Sequence, residues 1–192
     1  MPSSLPLKAG PLKLGVAGVG VMGRNHARVA ADMREFDLTT LFDPDAVTAE
    51  GVAAAYGAAP VTTAQAFVDA GLDAAVVATP NRFHADIGVA LLEKGVHVLV
   101  EKPIAATVAD AQRMIDAARA NGRVLMVGQV ERFNPAVETV KRARLTSPVT
   151  LDYQGTLDTT DGSFASRGTL RLTPDGRQIV RVGRPNLSRC PK

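Results

Sequence analysis

The chain has 192 residues, 46% hydrophobic and 21% charged, with one cysteine and a formal net charge of +3. That balance fits one globular domain, or one domain with an addition, and excludes a disordered chain, a collagen-like repeat and a coiled coil. The excess charge falls in residues 151–192, where 7 Lys+Arg face 4 Asp+Glu, scattered among few aromatics, which argues against a nucleic-acid surface.

Met1–Pro11 reads as a loose lead with no apolar core of a signal peptide, so a reducing cytoplasm is the expected setting. No apolar stretch reaches the ~18 residues of a membrane span. Leu14, Val16 and Ala17 then form a short apolar run that ends in glycines, as a buried parallel strand does. Val21–Arg34 suits a helix. Asp37–Phe42 reads as a strand ending at Asp43-Pro44-Asp45, followed by a helix over Ala46–Tyr56 that Gly57 stops. A short helix is predicted at Ala66–Ala70, a strand at Asp73–Ala78 and a helix at Phe83–Lys94 stopped by Gly95. A strand at Val96–Val100, a helix at Val108–Ala120 and a strand at Val124–Val127 complete the alternation. Strands alternating with helices give βαβ units and a Rossmann-type, doubly wound parallel sheet.

Beyond Pro135 the texture changes. Ala136–Arg144 looks helical, and Val149, Leu151 and Tyr153 alternate with polar residues. Thr169–Leu172 and Gln178–Val182 flank the turn sequence Thr173-Pro174-Asp175-Gly176. This short β-rich appendage has too few residues for a core of its own. It must dock on the first domain, pair with another copy as a homo-oligomer, or remain loose. The expected organisation is a lead over 1–11, a nucleotide-binding domain over 12–134 and an atypical C-terminal segment over 135–192.

Three motifs carry chemistry. Gly18-Val19-Gly20-Val21-Met22-Gly23 follows a strand and opens a helix. Gly18 allows a tight turn, Gly20 lets a pyrophosphate approach backbone, and Gly23 lets helix and strand pack closely. Val21 and Met22 begin the helix, whose N–H groups and dipole favour an anion. Asp43 lies 20 residues past Gly23, at the end of the next strand, where a carboxylate accepts ribose hydroxyls. An acid there repels a 2′-phosphate and favours NAD over NADP, with Arg24 as a softening charge. The second motif, Ala78-Thr79-Pro80-Asn81-Arg82-Phe83-His84, sits at a strand end beside the switch point. There Asn81 or Thr79 either meets a ligand or caps the next helix, and His84 either meets a ligand or lies on the helix surface. The third is Glu101-Lys102-Pro103. Its spacing alone favours a solvated Glu–Lys pair over proton transfer. His26 reads as a packing or capping histidine and His97 as structural. No cluster has metal-ligand spacing, so no metal is expected, and Cys190 has no second cysteine.

Together the motifs resemble the N-terminal domain of the glucose–fructose oxidoreductase, inositol dehydrogenase and MocA (Gfo/Idh/MocA) family. The matching residues are Gly15–Gly23 with Asn25 and His26, Ala78–Asn81 with His84, Glu101-Lys102-Pro103, and Gly128–Pro135. The resemblance implies an NAD(P)-dependent oxidoreductase acting on a secondary alcohol of a polyol, sugar, cyclitol or nucleotide sugar. It implies that Lys102 is the catalytic residue at the reacting hydroxyl. Thr79, Pro80, Asn81 and His84 line the cofactor pocket, Glu101 meets the ribose near the nicotinamide, and the Lys102–Pro103 bond is cis. Full members carry a second α/β domain with a catalytic histidine. In this sequence no histidine follows His97, and residues 136–192 read as a shortened second domain. The alternative is a nucleotide-binding protein impaired in catalysis, or a fragment lacking the substrate domain.

Overall fold

The computed structural model describes residues 10–135, and the backbone of 149–159, 162–172 and 178–182. Residues 1–9, the 136–144 helix expected from sequence, the 173–176 turn and Cys190 lie outside the described residues. Contacts divide the chain into two units, Met1–Gln129 and Val130–Lys192.

The first unit runs β1 (Leu12–Ala17), α1 (Val21–Ala31), β2 (Phe36–Phe42), α2 (Ala46–Tyr56), β3 (Ala59–Val61), α3 (Ala64–Val68) and β4 (Ala74–Val77), then α4 (His84–Glu93), β5 (His97–Glu101), α5 (Val108–Ala120) and β6 (Leu125–Gly128). Its six strands are all parallel, in the order β3-β2-β1-β4-β5-β6. The chain winds outward from β1 in one direction and from β4 in the other. The ends of these two neighbours therefore form the switch-point crevice of a Rossmann fold.

Strand alternation divides the apolar residues between two cores. On β4, Val76 joins Leu14, Val16, Ala27, Ala30, Leu41 and Val52 on one face. Ala75 and Val77 join Phe67, Leu91, Leu92, Val98, Val100 and Met114 on the other. Burial on both faces explains why these strands read as continuous apolar runs.

Helix ends follow their caps. Asp45 accepts the Thr48 N–H at 2.7 Å to start α2, and Gly57 ends it in the left-handed region. Thr63 accepts the Ala66 N–H, which starts α3 two residues earlier than the sequence suggests. The helix expected from Phe83 begins as a 3₁₀ turn over Asn81–Phe83 and becomes α4 at His84. Strand β3 was not expected. It has three residues including Pro60, and it exists because Thr40, Leu41 and Phe42 offer it a ladder.

The second unit contains a 3₁₀ turn over Val130–Phe133 and the antiparallel strands β7 (Val149–Thr159), β8 (Gly162–Leu172) and β9 (Gln178–Val182). Val149 pairs with Leu172, Thr159 with Gly162, and Gly168 with Val182. The first two strands run further than their apolar alternation indicates, because the ladder continues through Gly155–Arg167. Among the described residues no helix is long and apolar enough to cross a membrane.

Candidate functional site

The loop between β1 and α1 is shaped by close approaches. Gly18 has φ +81°, and a Cβ there would lie 2.8 Å from the Thr79 backbone. A Cβ on Gly23 would overlap the Gly18 carbonyl oxygen. Gly20 differs, since a Cβ there meets nothing within 4 Å. Gly20 is the N-cap of α1 and supplies no side chain to bond the first N–H groups. The side chains of Val21 and Met22, at the start of the helix, are exposed. The helix N-terminus thus presents backbone donors on the side where Gly20 leaves open space, an arrangement suited to a phosphate.

Asp43 follows β2 and reaches back to the same loop. Its Oδ2 accepts the Val19 N–H at 3.1 Å, and its Oδ1 accepts the Asp45 N–H at 3.1 Å. Arg24 takes the other side of Val19, donating from Nε to the carbonyl at 3.0 Å.

Across the crevice, β4 leads into Thr79-Pro80-Asn81. Neither Thr79 nor Asn81 caps a helix through its side chain, which corrects the capping alternative. Pro80 precedes the 3₁₀ turn and Phe83 precedes α4. Thr79 Oγ1 is instead a buried oxygen with no hydrogen-bond partner among the described residues. An unmade hydrogen bond at a buried hydroxyl costs about 1–3 kcal/mol, so such an atom invites a ligand. The bare helix start and this orphaned oxygen both fit a dinucleotide.

His84 is only 1% exposed, so the surface-histidine alternative does not hold. Its Nε2 lies 2.7 Å from the Thr79 carbonyl oxygen and its Nδ1 3.0 Å from that of Pro103. The ring thus ties the loop after β4 to the loop after β5. The Lys102–Pro103 peptide is cis.

Glu101 corrects another expectation. It is 5% exposed and forms no solvated pair with Lys102. Its Oε1 lies 2.8 Å from His26 Nε2, and its Oε2 accepts the Lys102 N–H at 3.1 Å. Burial forces the carboxylate to find donors, and the ring on α1 supplies one. His26 is therefore a partner of Glu101 rather than a cap. Lys102 is exposed beside this pair. His97 is structural, as expected: its Nδ1 accepts the Val124 N–H at 3.0 Å. Burial, with help from the Arg123 charge and against that of Asp73, holds its imidazole below the ordinary histidine range.

A parallel sheet with this strand order, a three-glycine loop and an acid after β2 defines a dinucleotide-binding Rossmann domain. Residues 12–129 match the model of the "oxidoreductase family, NAD-binding Rossmann fold", Gfo/Idh/MocA, and the chain belongs to that family. Among its relatives, inositol 2-dehydrogenase 1 of Saccharopolyspora erythraea is 38% identical over 137 residues, covering 69% of this chain and 41% of that protein. UDP-N-acetylglucosamine 3-dehydrogenase of Acidithiobacillus ferrooxidans is 31% identical over 143 residues, 74% of this chain and 45% of that one. The WlbA dehydrogenase of Bordetella pertussis, solved with NADH and UDP-GlcNAcA, has the same fold, with TM-score 0.73 and 18% identity over 92% of this chain and 68% of that one. The chain spans about two fifths of the length of the curated relatives it matches.

Proposed function

We propose that the chain binds NAD and takes part in oxidoreduction at a secondary alcohol of a cyclitol, sugar or nucleotide sugar. The observation that carries this is the uncapped start of α1 at Gly20, with open space beside it, together with the buried unpartnered oxygen of Thr79, whose backbone packs against Gly18 of the same loop. Membership of an NAD-binding oxidoreductase family, with relatives named for inositol and UDP-N-acetylglucosamine, supports the substrate class.

In this reading the pyrophosphate sits against Gly18–Gly23, with the N–H groups of Val21 and Met22 at the helix start. Asp43 takes the adenosine ribose hydroxyls through its remaining lone pairs, and its charge disfavours the 2′-phosphate of NADP. Thr79, Pro80 and Asn81 line the crevice beyond. His84, having both nitrogens engaged with backbone, holds those residues in place. Glu101 accepts from the ribose near the nicotinamide. A bound nicotinamide supplies the hydride acceptor or donor. Lys102 donates a hydrogen bond to the reacting hydroxyl oxygen and stabilises negative charge as it develops there.

The test is calorimetry with NAD, NADH and NADPH, followed by an absorbance assay with inositols and UDP-sugars. NADH binding with substrate-dependent absorbance change supports the reading. Binding without turnover leaves a nucleotide-binding protein, and no binding at all removes the reading.

A further inference from the structure

We propose that His26 is a positioning residue that holds the Glu101 carboxylate for the nicotinamide half of the cofactor. This rests on the cofactor reading above and adds a residue to it.

Three constraints meet at Glu101. His26 Nε2 lies 2.8 Å from Oε1, and the Lys102 N–H is donated to Oε2 at 3.1 Å. On the β6 side, a Cβ at Gly128 would come within 3.0 Å of Oε1, so the glycine leaves the room that the carboxylate occupies. The Glu101 side chain is 7% exposed and that of His26 21%, so the pair is shielded from water. Shielding strengthens a hydrogen bond to a charged group and makes its loss costly.

The position of His26 explains why a histidine here matters beyond packing. It lies three residues past Gly23, on the helix that begins at the glycine loop. That helix offers its N-terminus to the pyrophosphate and its ring, one turn further on, to Glu101. Glu101 in turn bonds the backbone of Lys102. One rigid helix thereby fixes the distance between the adenylate site and the carboxylate beside Lys102. Without the ring, Glu101 keeps one backbone donor and loses its fixed direction.

The test uses the 192-residue chain, with NADH and ADP as probes. ADP carries the adenosine and both phosphates and lacks the second ribose that Glu101 meets. His26→Leu fills the same space without a donor and should weaken NADH by about tenfold, the worth of the one charge-assisted hydrogen bond from that ribose to a held Glu101. Its affinity for ADP should stay within about twofold of the unaltered chain. His26→Gln places an amide N–H near the Nε2 position and should recover most of the NADH affinity. Glu101→Gln combined with His26→Leu should lose no more NADH affinity than Glu101→Gln alone, because His26 acts through Glu101. NADH affinity unchanged in His26→Leu, equal losses on both probes, or no recovery in His26→Gln overturns the proposal. An unaltered chain that binds neither probe overturns the cofactor reading, and this inference with it. Binding of both probes with no selective loss overturns the inference alone.

Discussion

The Asp43 carboxylate accepts the Val19 N–H at 3.1 Å and so ties the end of β2 to the middle of the glycine loop. One side chain thus shapes the loop and sets the charge where an adenosine ribose would lie. The two roles separate by substitution. Asp43→Asn keeps an oxygen for the Val19 N–H and removes the charge. Its preference for NAD over NADP should shrink by about tenfold, since hydrogen bonds to charged groups are worth about 1.5–3 kcal/mol. Asp43→Ser should weaken both cofactors as well, because the shorter side chain does not reach Val19. Calorimetry with both cofactors checks this. Tighter NADP binding by the unaltered chain would remove the role given to Asp43.

Gly20 and Gly23 should respond oppositely to alanine. A methyl at residue 23 overlaps the Gly18 carbonyl oxygen, so Gly23→Ala must push α1 away from β1. Thermal denaturation should register a loss of about 1–3 kcal/mol, as overpacking does, together with lost NADH binding. A methyl at residue 20 meets nothing within 4 Å. Gly20→Ala should leave the melting temperature nearly unchanged and still weaken NADH, because it occupies the space left for the ligand. Unweakened NADH binding in Gly20→Ala would mean that the pyrophosphate does not pass there.

These local features were legible because they are local. Gly18–Gly23 and Asp43 declare themselves through spacing along one βαβ unit. The bounds of α2 and α5 follow from Asp45 with Gly57 and from Thr107, whose oxygen accepts the Asp110 N–H. Strand β3 escaped because three residues around Pro60 carry no period. Their strand character comes from the ladder with β2. The His26–Glu101 pair escaped for a different reason. The two residues are 75 apart in sequence, and neither spacing nor composition marks them as partners. His84 shows the same limit: spacing leaves a histidine opening a helix undecided between ligand contact and surface until two carbonyls, from Thr79 and Pro103, are brought to its ring.

His97 gives a pH dependence whose sign follows from its environment. Burial first, then the Arg123 charge, keep its imidazole less basic than in the unfolded chain. The unfolded histidine gains a proton near pH ~6.5, while the folded one resists until lower pH. The stabilisation is therefore complete above ~6.5 and declines as pH falls through that value toward the lower folded pKa. His97→Asn keeps an acceptor for the Val124 N–H and removes the titration. Between pH 7.5 and 5.5 (roughly one unit either side of the unfolded value), the unaltered chain should lose more thermal stability than this variant. Equal losses in the two would show that His97 does not contribute to the slope.

Lys102 is the group on which chemistry should depend. It follows β5 at the C-terminal edge of the sheet, where ligands of open α/β folds meet catalytic side chains. Its backbone N–H is held by the buried Glu101 carboxylate, and the next residue, Pro103, is held through its carbonyl by His84. The main chain is thus fixed on both sides of an exposed ammonium. A donor aimed at charge that develops in the transition state is worth about 3–4 kcal/mol, or roughly 10²–10³ in rate. Lys102→Ala should lower turnover by that factor and leave NADH affinity within about twofold, since in the proposed mechanism the ammonium meets the reacting hydroxyl rather than the pyrophosphate. Lys102→Arg keeps the charge but presents a planar fork in place of a point donor, so it should recover only part of the rate. Steady-state rates and calorimetry on the same variants separate these effects. A fall in affinity matching the fall in rate would move Lys102 from the reaction to cofactor binding. Undiminished turnover in Lys102→Ala would take it out of the mechanism.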